Sequence, residues 1–439
     1  MLQYHGNSTM KMRALLFATL LLASRIDGKS CGRPTNPPSS FNCSYNGACQ
    51  LDGRCRCFSG WKGQYCQSLD LLPATNSSGL NLLGPPHYTS TWGGSVLYDA
   101  NDDLYHMYAS EISNHCGIHR WLSDSIVVHA TSQGAKDGWK FERQEAIDVL
   151  PKFSHEPVAV RDPSSGATVL FVSHYPGGDA SDCPDKICRC NDGSSWAGGE
   201  RCGNECGISG NATVYSYFTY SSSKIGNGSA WSKLTSLASV QSNPQIDMNL
   251  APVIREDGSL LAWTRWTIWE ASNWTDPKTY RNMGPGPDFD SDPPTPWEGE
   301  DPSVWIDADG RYHMLSHNGD RGQTYAHNAS GDCGRHYFST NGKAGTWRVA
   351  PLLPEADLGG CAYLRTVPFD NAEPVSRDFT FYRRERPHLI FDLDGVTPVA
   401  LSTAVIDSPV YGCDRSYTLV QPIKTHNGDL KRTRQENIS

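Results

Sequence analysis

Four carboxylate residues lie one or two residues before a proline in short segments that are similar to one another. Glu156 lies in "HEPVAVRD", Glu300 and Asp301 lie in "EDPSVWIDADG", and Glu385 lies in "RERPHLIFDLDG". Carboxylates that converge on one pocket repel one another, and this repulsion spreads their pKa values. A neutral carboxylic acid beside an ionised carboxylate can perform general acid–base chemistry. Glu156, Glu300, Asp301 and Glu385 are therefore the candidates for a general acid and a general base.

Polar and aromatic residues near these segments are candidates for binding a ligand. Arg384 and Arg386 could hold a carboxylate or sulfate of an acidic sugar through paired hydrogen bonds. The alternative is an ion-pair network with Glu385. Tryptophan side chains could stack on sugar rings or pack between the sheets. The predicted binding set is His155, Asn249, His317, Arg384, Arg386, Trp92 and Trp305.

The elements that must position these residues are repeated hairpins. Each repeat has a short apolar strand, an acidic turn and a second strand, and Asp-Gly turns at Asp257, Asp309 and Asp394 favour tight hairpins. The repeats begin at Gly93, His155, Asn249, Glu300 and Arg384. A third strand and a later tryptophan follow several hairpins, which gives about four strands per unit. The sequence therefore predicts an all-β, five-bladed β-propeller, and a six- or seven-bladed ring is the alternative.

A propeller would bring equivalent positions of the repeats together. The inner strand of each blade lines the central channel, so the start of each repeat would face one mouth. Proline is tolerated at the first position of a strand, which agrees with its place in the repeats. His106 and His313 occupy equivalent positions on the second strands, where we predict structural packing. "SYTLVQPI", from Ser416, could complete a blade and close the ring.

Composition excludes some classes of partner. The chain has 439 residues and a net charge of −9. A nucleic-acid surface needs clustered Lys and Arg, which this sequence lacks. No segment after the N-terminus has the length and apolarity of a membrane-spanning helix. We therefore expect no nucleic-acid partner and no membrane span.

Several features indicate a secreted glycoprotein. Lys11 and Arg13 precede a short apolar run from Ala14 to Ala23, which is typical of a signal peptide. The fifteen cysteines suit an oxidising compartment, and their odd number leaves one free or paired with another chain. Downstream of the predicted signal peptide, seven N-glycosylation sequons lie at Asn42, Asn76, Asn211, Asn227, Asn273, Asn328 and Asn437.

Six cysteines are concentrated near the N-terminus. They are Cys31, Cys43, Cys49, Cys55, Cys57 and Cys66, and the stretch ends "CRCFSGWKGQYC". The spacing and the G-W-x-G turn resemble the EGF-like module. The resemblance implies the disulfides Cys31–Cys49, Cys43–Cys55 and Cys57–Cys66, and it implies a role in binding a protein partner. So small a domain needs crosslinks because it cannot bury enough apolar surface.

The large repeat region also resembles a known group. The five ordered repeats are similar to the five-bladed β-propeller glycoside hydrolases of the arabinanase, xylosidase and invertase type. The resemblance implies a base in a D-P-S motif, which matches Asp301, and an acid in an E-x-P motif, which matches Glu385. It places Glu156 as an auxiliary carboxylate. The sequence departs from the family because blade one reads "WGGSV", with Gly93 and Gly94 in place of the family's base.

Two loops raise the question of metal ions. Five cysteines between Cys183 and Cys206 could bind zinc, but disulfides are the expectation in a secreted chain. Asp288, Asp290 and Asp292 have D-x-D-x-D spacing but lack the glycine and distal glutamate of an EF-hand. We expect no cofactor, and calcium in the channel is the one ion left open.

The sequence thus predicts a modular chain. We assign a signal peptide to residues 1–28, the EGF-like module to 31–66, a linker to 67–84, the propeller to 85–425 with a cysteine-rich insertion at 183–206, and a polar tail to 426–439. The expected function is hydrolysis of a polysaccharide or oligosaccharide. The alternatives are a carbohydrate-binding or adhesive propeller without catalysis, and a protein that acts through its EGF-like module.

Overall fold

The structure, a computed structural model, describes only part of the chain. The described residues are 31, 43–113, 117–118, 121–174, 215–221, 231–237, 249–264, 267–286, 299–318, 333–351, 361–370, 377–406 and 415–425. The predicted signal peptide, the cysteine-rich insertion, the D-x-D-x-D loop and the polar tail lie outside them.

Two small sheets precede the large ones. The first pairs β1 (Gly47–Cys49) with β2 (Cys55–Cys57), and the second pairs β3 (Trp61–Lys62) with β4 (Ser68–Leu69). Three disulfides join Cys31 to Cys49, Cys43 to Cys55 and Cys57 to Cys66. The pairing that the EGF resemblance implied is therefore confirmed.

Five antiparallel sheets follow, one for each blade. Blade one contains β5 (Ser90–Asp99), β6 (Leu104–Ile112), β7 (Ser125–Ser132) and β8 (Glu142–Ala146). Blade two contains β9 (Ser154–Arg161), β10 (Thr168–His174), β11 (Tyr215–Ser221) and β12 (Thr235–Ser236). Blade three contains β13 (Ala251–Ile254), β14 (Leu260–Trp263), β15 (Thr267–Ala271) and β16 (Tyr280–Pro285).

Blade four contains β17 (Glu300–Ile306), β18 (Tyr312–Asn318), β19 (Cys333–Ser339) and β20 (Arg348–Val349), and β21 (Tyr363–Leu364) also pairs with β19. A separate hairpin joins β22 (Thr366–Phe369) to β23 (Arg377–Thr380). Blade five contains β24 (Arg383–Phe391), β25 (Pro398–Ile406) and β26 (Ser416–Pro422). The described helices are α1 (Trp121–Asp124) and the 3-10 turns Gly134–Asp137 and Pro277–Thr279. None of them is long and apolar enough to cross a membrane.

The five sheets form a closed ring. The inner strand of each blade contacts the inner strand of the next, in the order β5, β9, β13, β17, β24 and back to β5. This cyclic order defines a five-bladed propeller, so the predicted fold class is confirmed. Each predicted hairpin is the inner pair of one blade, and its apolar residues are buried between blades. Asp257, Asp309 and Asp394 of the three Asp-Gly turns are exposed. Gly258, Gly310 and Gly395 have positive φ of 77°, 76° and 69°, as the Asp-Gly turns require.

A segment from before blade one completes blade five. Leu80 and Leu71 form antiparallel bridges with Thr418 and Ile423, beside β26. Backbone N–H groups of Leu80 and Leu72 donate to the carbonyls of Thr418 and Pro422 at 2.8 Å each. Ring closure therefore joins residues 71–80 to the last strand. The sequence predicted that "SYTLVQPI" completes a blade, but it did not predict that residues 71–80 pair with this strand.

The EGF-like module packs on blades four and five. Trp61 stacks on Trp305 of β17, with ring centroids 6.4 Å apart, and contacts His336 of β19 at 4.9 Å. Tyr45 packs edge-on against Phe338. The same apolar cluster includes Leu389 of blade five. These residues are buried or half-buried, so the module is fixed to the propeller over this surface.

Two buried histidine pairs repeat between blades one and four. In blade four, Asp307 contacts His313 Nε2 at 3.0 Å, and His313 Nδ1 contacts His336 Nε2 at 3.0 Å. In blade one, Asp102 contacts His106 at 3.1 Å, and His106 Nδ1 contacts His129 Nε2 at 2.9 Å. In each of the two blades, the paired histidines lie on the second and third strands, which agrees with the structural packing predicted for His106 and His313.

Candidate functional site

One position near the start of each inner strand has a left-handed backbone. The φ angles are 63° at Gly93, 55° at Glu156, 64° at Asn249, 55° at Asp301 and 56° at Arg386. We call these five the ring residues. A left-handed conformation costs a non-glycine residue about 1–2 kcal/mol, so its recurrence in four blades marks a constrained feature of the mouth. The strand register shifts beside this position in blades one, two, four and five.

Arg386 connects three of the other ring residues. Its Nη1 donates to Asn249 Oδ1 and Asp301 Oδ1 at 3.0 Å each and lies 3.2 Å from Glu156 Oε1. Glu156 also accepts a hydrogen bond from Ser173 at 3.3 Å. The side chains of Arg386, Glu156 and Asp301 are only 4%, 10% and 5% exposed. Two carboxylates from different blades thus share one buried guanidinium.

Gly93 provides the space that Arg386 occupies. A Cβ built on Gly93 would lie 3.3 Å from Cβ and 3.4 Å from Nε of Arg386. With φ at 63°, any other residue there would also be strained. Blade one therefore lacks a side chain at its ring position, and the arginine of blade five occupies the space that this side chain would fill.

Glu385 lies one residue before the ring position of its blade. Arg383 donates to both of its carboxylate oxygens, at 2.5 and 2.6 Å. His317 Nε2 is 3.6 Å from Glu385, and its Nδ1 is 3.8 Å from Glu300. Burial raises the pKa of Glu385, but the charges of Arg383, His317 and Arg386 outweigh burial and hold it below its ordinary value. Glu385 is therefore ionised at neutral pH.

Two histidines beside the ring residues are held neutral. His155 is buried, its Nδ1 is 2.7 Å from Ser125 Oγ, and burial and then Arg386 lower its pKa well below the ordinary value. His388 lies 3.2 Å from Ser303 Oγ, and burial and then Arg386 lower its pKa to about 3. These rings add no positive charge to the mouth near neutral pH.

The predicted carboxylates and several binding residues are brought together at the mouth. Glu156 and Asp301 meet at Arg386, and one oxygen each from Asp301 and Glu385 lies within 4.8 Å of a nitrogen of His317 and of each other. The ring position of blade five is Arg386 and not Glu385: Arg386, like Glu156 and Asp301, directly precedes a proline and takes the left-handed conformation. Asp301, His317 and Glu385 also offer the donor types that a divalent cation would require.

Arg384 lies outside this cluster. It is buried and donates to Thr403 Oγ1 at 3.1 Å, the Leu364 carbonyl at 2.7 Å and Gln421 Oε1 at 2.9 Å. Burial lowers its pKa to about 10. Its donors are engaged by blade five and by β21, so the structure does not support the expectation that Arg384 grips an acidic sugar.

The two predicted tryptophans pack in the protein. Trp92 is 3% exposed, and the Arg383 guanidinium lies 5.4 Å from its ring centroid. Trp305 lies between Trp61 of the EGF-like module and His313. In the described residues, both rings are used for packing, which is the alternative that the sequence left open for tryptophan.

Trp121 is a mouth residue that sequence reasoning missed. It begins α1, is half-buried, and its ring lies 5.2 Å from His155, the neighbour of Glu156. The connection that carries it joins the mouth ends of β6 and β7, since Ile112 pairs with Ser125. The sequence signal was weak, because a single tryptophan in a loop has no periodic pattern around it.

One family model matches within the EGF-like module. Residues 40–68 match the family model described as a Teneurin-like EGF domain. The chain is an EGF-like module followed by a five-bladed β-propeller. No curated protein is significantly similar to it in sequence.

Several solved structures resemble the propeller. The catalytic domain of the Coprinopsis cinerea GH62 alpha-L-arabinofuranosidase is 12% identical, with 81% of this chain and 98% of that chain covered and a TM-score of 0.49. The Podospora anserina alpha-L-arabinofuranosidase in complex with cellotriose is 13% identical, with 82% and 99% covered and a TM-score of 0.49.

Proposed function

We propose that the protein is a secreted glycoside hydrolase that acts on a polysaccharide or oligosaccharide at the propeller mouth. The supporting observation is the convergence of Glu156, Asp301 and Glu385 from three blades on Arg386 and His317. Burying like charges together costs free energy unless cations compensate them. Three largely buried carboxylates with slight solvent access fit acid–base chemistry on a sugar better than a purely structural role.

The geometry favours particular roles within this site. Glu385 is held ionised by Arg383, so it suits stabilisation of the positive charge that develops on a sugar ring. Of the two carboxylates that share Arg386, Glu156 is the more exposed, at 10% against 5%, so we assign it the role of proton donor and Asp301 the role of base. One oxygen of each lies 3.2 and 3.0 Å from the same Arg386 nitrogen, so both carboxylates face one small region of the mouth.

Hydrolysis by matched variants tests the proposal. The full chain would be incubated with arabinoxylan, arabinan, galactan, laminarin and alginate, and released reducing ends would be measured. Glu156→Gln and Asp301→Asn should each lower kcat by about 10²–10⁴-fold. Glu142→Gln, at an exposed carboxylate on β8, should have no effect. Full activity of both mouth variants, with unchanged melting temperatures, would contradict the assignment.

A carbohydrate-binding propeller without catalysis is the second candidate. It is favoured by the packing of Arg386 over Gly93, which removes the blade-one carboxylate and leaves Glu156 and Asp301 paired with a cation. Retention of the chain on one of the five polysaccharides, with no release of reducing ends, would select this function over hydrolysis.

Secretion has its own test. The sequon residues Asn76 and Asn273 are exposed, as glycan attachment requires. Expression in a eukaryotic secretory host should give a chain in the medium whose mass falls after glycan removal, and Asn273→Gln should lose one glycan. A chain retained in the cell without glycans would contradict secretion.

A protein partner for the EGF-like module is also proposed. The β1–β2 turn is directed to solvent, since Leu51 is 90% exposed there. Crosslinking at this turn, compared between the native chain and Leu51→Ala, tests for such a partner. Identical crosslinked products would contradict a contact at the turn.

A further inference from the structure

Asn249 is the ring residue that carries an unused hydrogen-bond donor. It is 3% exposed, and its Nδ2 is buried without a hydrogen-bond partner. Leaving a buried donor unsatisfied costs about 1–3 kcal/mol, so such groups are rare unless something binds them. The ring position adds to this cost, because Asn249 has a left-handed backbone with φ at 64°.

The orientation of this amide is fixed. Arg386 Nη1 lies 3.0 Å from the side-chain oxygen of Asn249. A guanidinium has only donors, so the amide must direct its oxygen to Arg386 and its NH2 group elsewhere. The rotation that would exchange oxygen and nitrogen is therefore excluded. Blade three presents donors at the ring where blades two and four present carboxylates.

The surroundings determine what the NH2 group can bind. Asp301 and Glu156 contact the same Arg386 nitrogen as Asn249, so their carboxylates lie beside the amide. The two carboxylates outnumber the one guanidinium that they share, so an anionic acceptor would be repelled. A hydroxyl group fits, because its oxygen accepts from Nδ2 while its own hydrogen can be donated to a carboxylate.

We infer that Asn249 is a specificity residue that binds a hydroxyl of a neutral sugar, and that uronate-rich chains are disfavoured. This inference rests on the proposed function for the identity of the site. It goes further by assigning the blade-three residue to recognition and not to proton transfer.

Affinity electrophoresis tests the inference without requiring turnover. The full chain and its variants would run in native gels containing arabinoxylan, arabinan, galactan, laminarin or alginate. Asn249→Asp keeps the acceptor for Arg386 but loses both donors, so the dissociation constant should rise roughly 10- to 100-fold. Asn249→Ala should show a similar loss. Asn81→Asp, at an exposed asparagine whose side-chain oxygen accepts from the Leu83 backbone, is the matched control and should bind normally.

Each outcome decides the question. Selective loss of retardation in the Asn249 variants, with unchanged melting temperature, supports the inference even if nothing is hydrolysed. The inference is overturned if Asn249→Asp and the native chain are retarded equally, or if alginate is bound in preference to the neutral polymers. In that case, hydrolysis of a neutral polymer would still support the proposed function. If a polymer is hydrolysed but does not retard the protein, a KM for Asn249→Asp equal to that of the native chain overturns the inference. Neither retardation nor hydrolysis of any polymer overturns both proposals.

Discussion

Arg386 is the residue on which the charges of the mouth depend. Its replacement by alanine would leave Glu156 and Asp301 buried beside each other without their common cation. Removing one partner of a buried ion pair typically costs about 3–5 kcal/mol. We expect a loss of this size for Arg386→Ala in urea unfolding and a smaller loss for Arg386→Lys, which keeps the charge. Arg348→Ala, at an exposed arginine on β20, is the control, and equal stability of the two alanine variants would argue against this role.

His388 gives the mouth a pH-dependent stability. Burial and then Arg386 lower its folded pKa from 6.5 to about 3, so the unfolded chain binds a proton that the folded chain does not. Stability is therefore complete above pH 6.5 and falls as the pH drops toward 3, by up to about 1.4 kcal/mol per pH unit. His388→Gln should flatten this slope, whereas His87→Gln, at an exposed histidine, should not. If stability falls with pH equally in the native protein, His388→Gln and His87→Gln in urea titrations, His388 is excluded as the source of the pH dependence.

Trp121 should act in binding and not in bond cleavage. Its half-buried ring beside His155 could stack on a sugar unit, given the proposed function. We expect Trp121→Ala to weaken polysaccharide binding about 10-fold, which corresponds to roughly 1.4 kcal/mol. Trp121→Phe should restore most of it, and kcat on a short substrate should stay unchanged. Tyr220→Ala, an aromatic residue 36% exposed at the far end of blade two, serves as control. A lowered kcat with normal binding would assign Trp121 a different role.

Among the elements, the inner hairpins were the most predictable. Alternating apolar residues and Asp-Gly turns are local signals, and they place β17–β18 and β24–β25 directly from the sequence. The left-handed ring position is not a local signal. It depends on the bulge that each inner strand makes against its neighbour, so the sequence pointed to Glu385 where the structure has Arg386. Trp121 was missed because a four-residue helix has no periodicity to read.

The EGF-like module should melt together with the propeller. Trp61 is 8% exposed and packs on Trp305 and His336, so its loss would leave a cavity between the two units. Trp61→Ala should lower stability by about 3–5 kcal/mol. Calorimetry should show one transition for the native chain and a lower or divided transition for the variant. Leu51→Ala, at an exposed site of the same module, should leave the single transition unchanged. Two transitions in the native chain would show that the units unfold independently.

For the whole molecule, the sequence predicted contacts that are local or that follow a known disulfide spacing. It did not predict contacts between segments far apart in the chain. The EGF disulfides lie 9 to 18 residues apart and follow a known spacing. The disulfide between Cys333 and Cys361 joins β19 to the segment before β21, a pairing that spacing alone left open. The closing contact of Leu71 with Ile423 was invisible, because nothing in either short segment identifies its distant partner.

That closing contact also has a consequence for biosynthesis. The chain is made from its N-terminus, so residues 71–80 emerge long before β26, their partner in blade five. Until then, β25 and the 71–80 segment each present an unpaired edge, and open edges are sites of misassembly. A chain that terminates prematurely before Ser416 would therefore not yield a smaller, functional ring. It would yield an open ring with two unpaired strand edges.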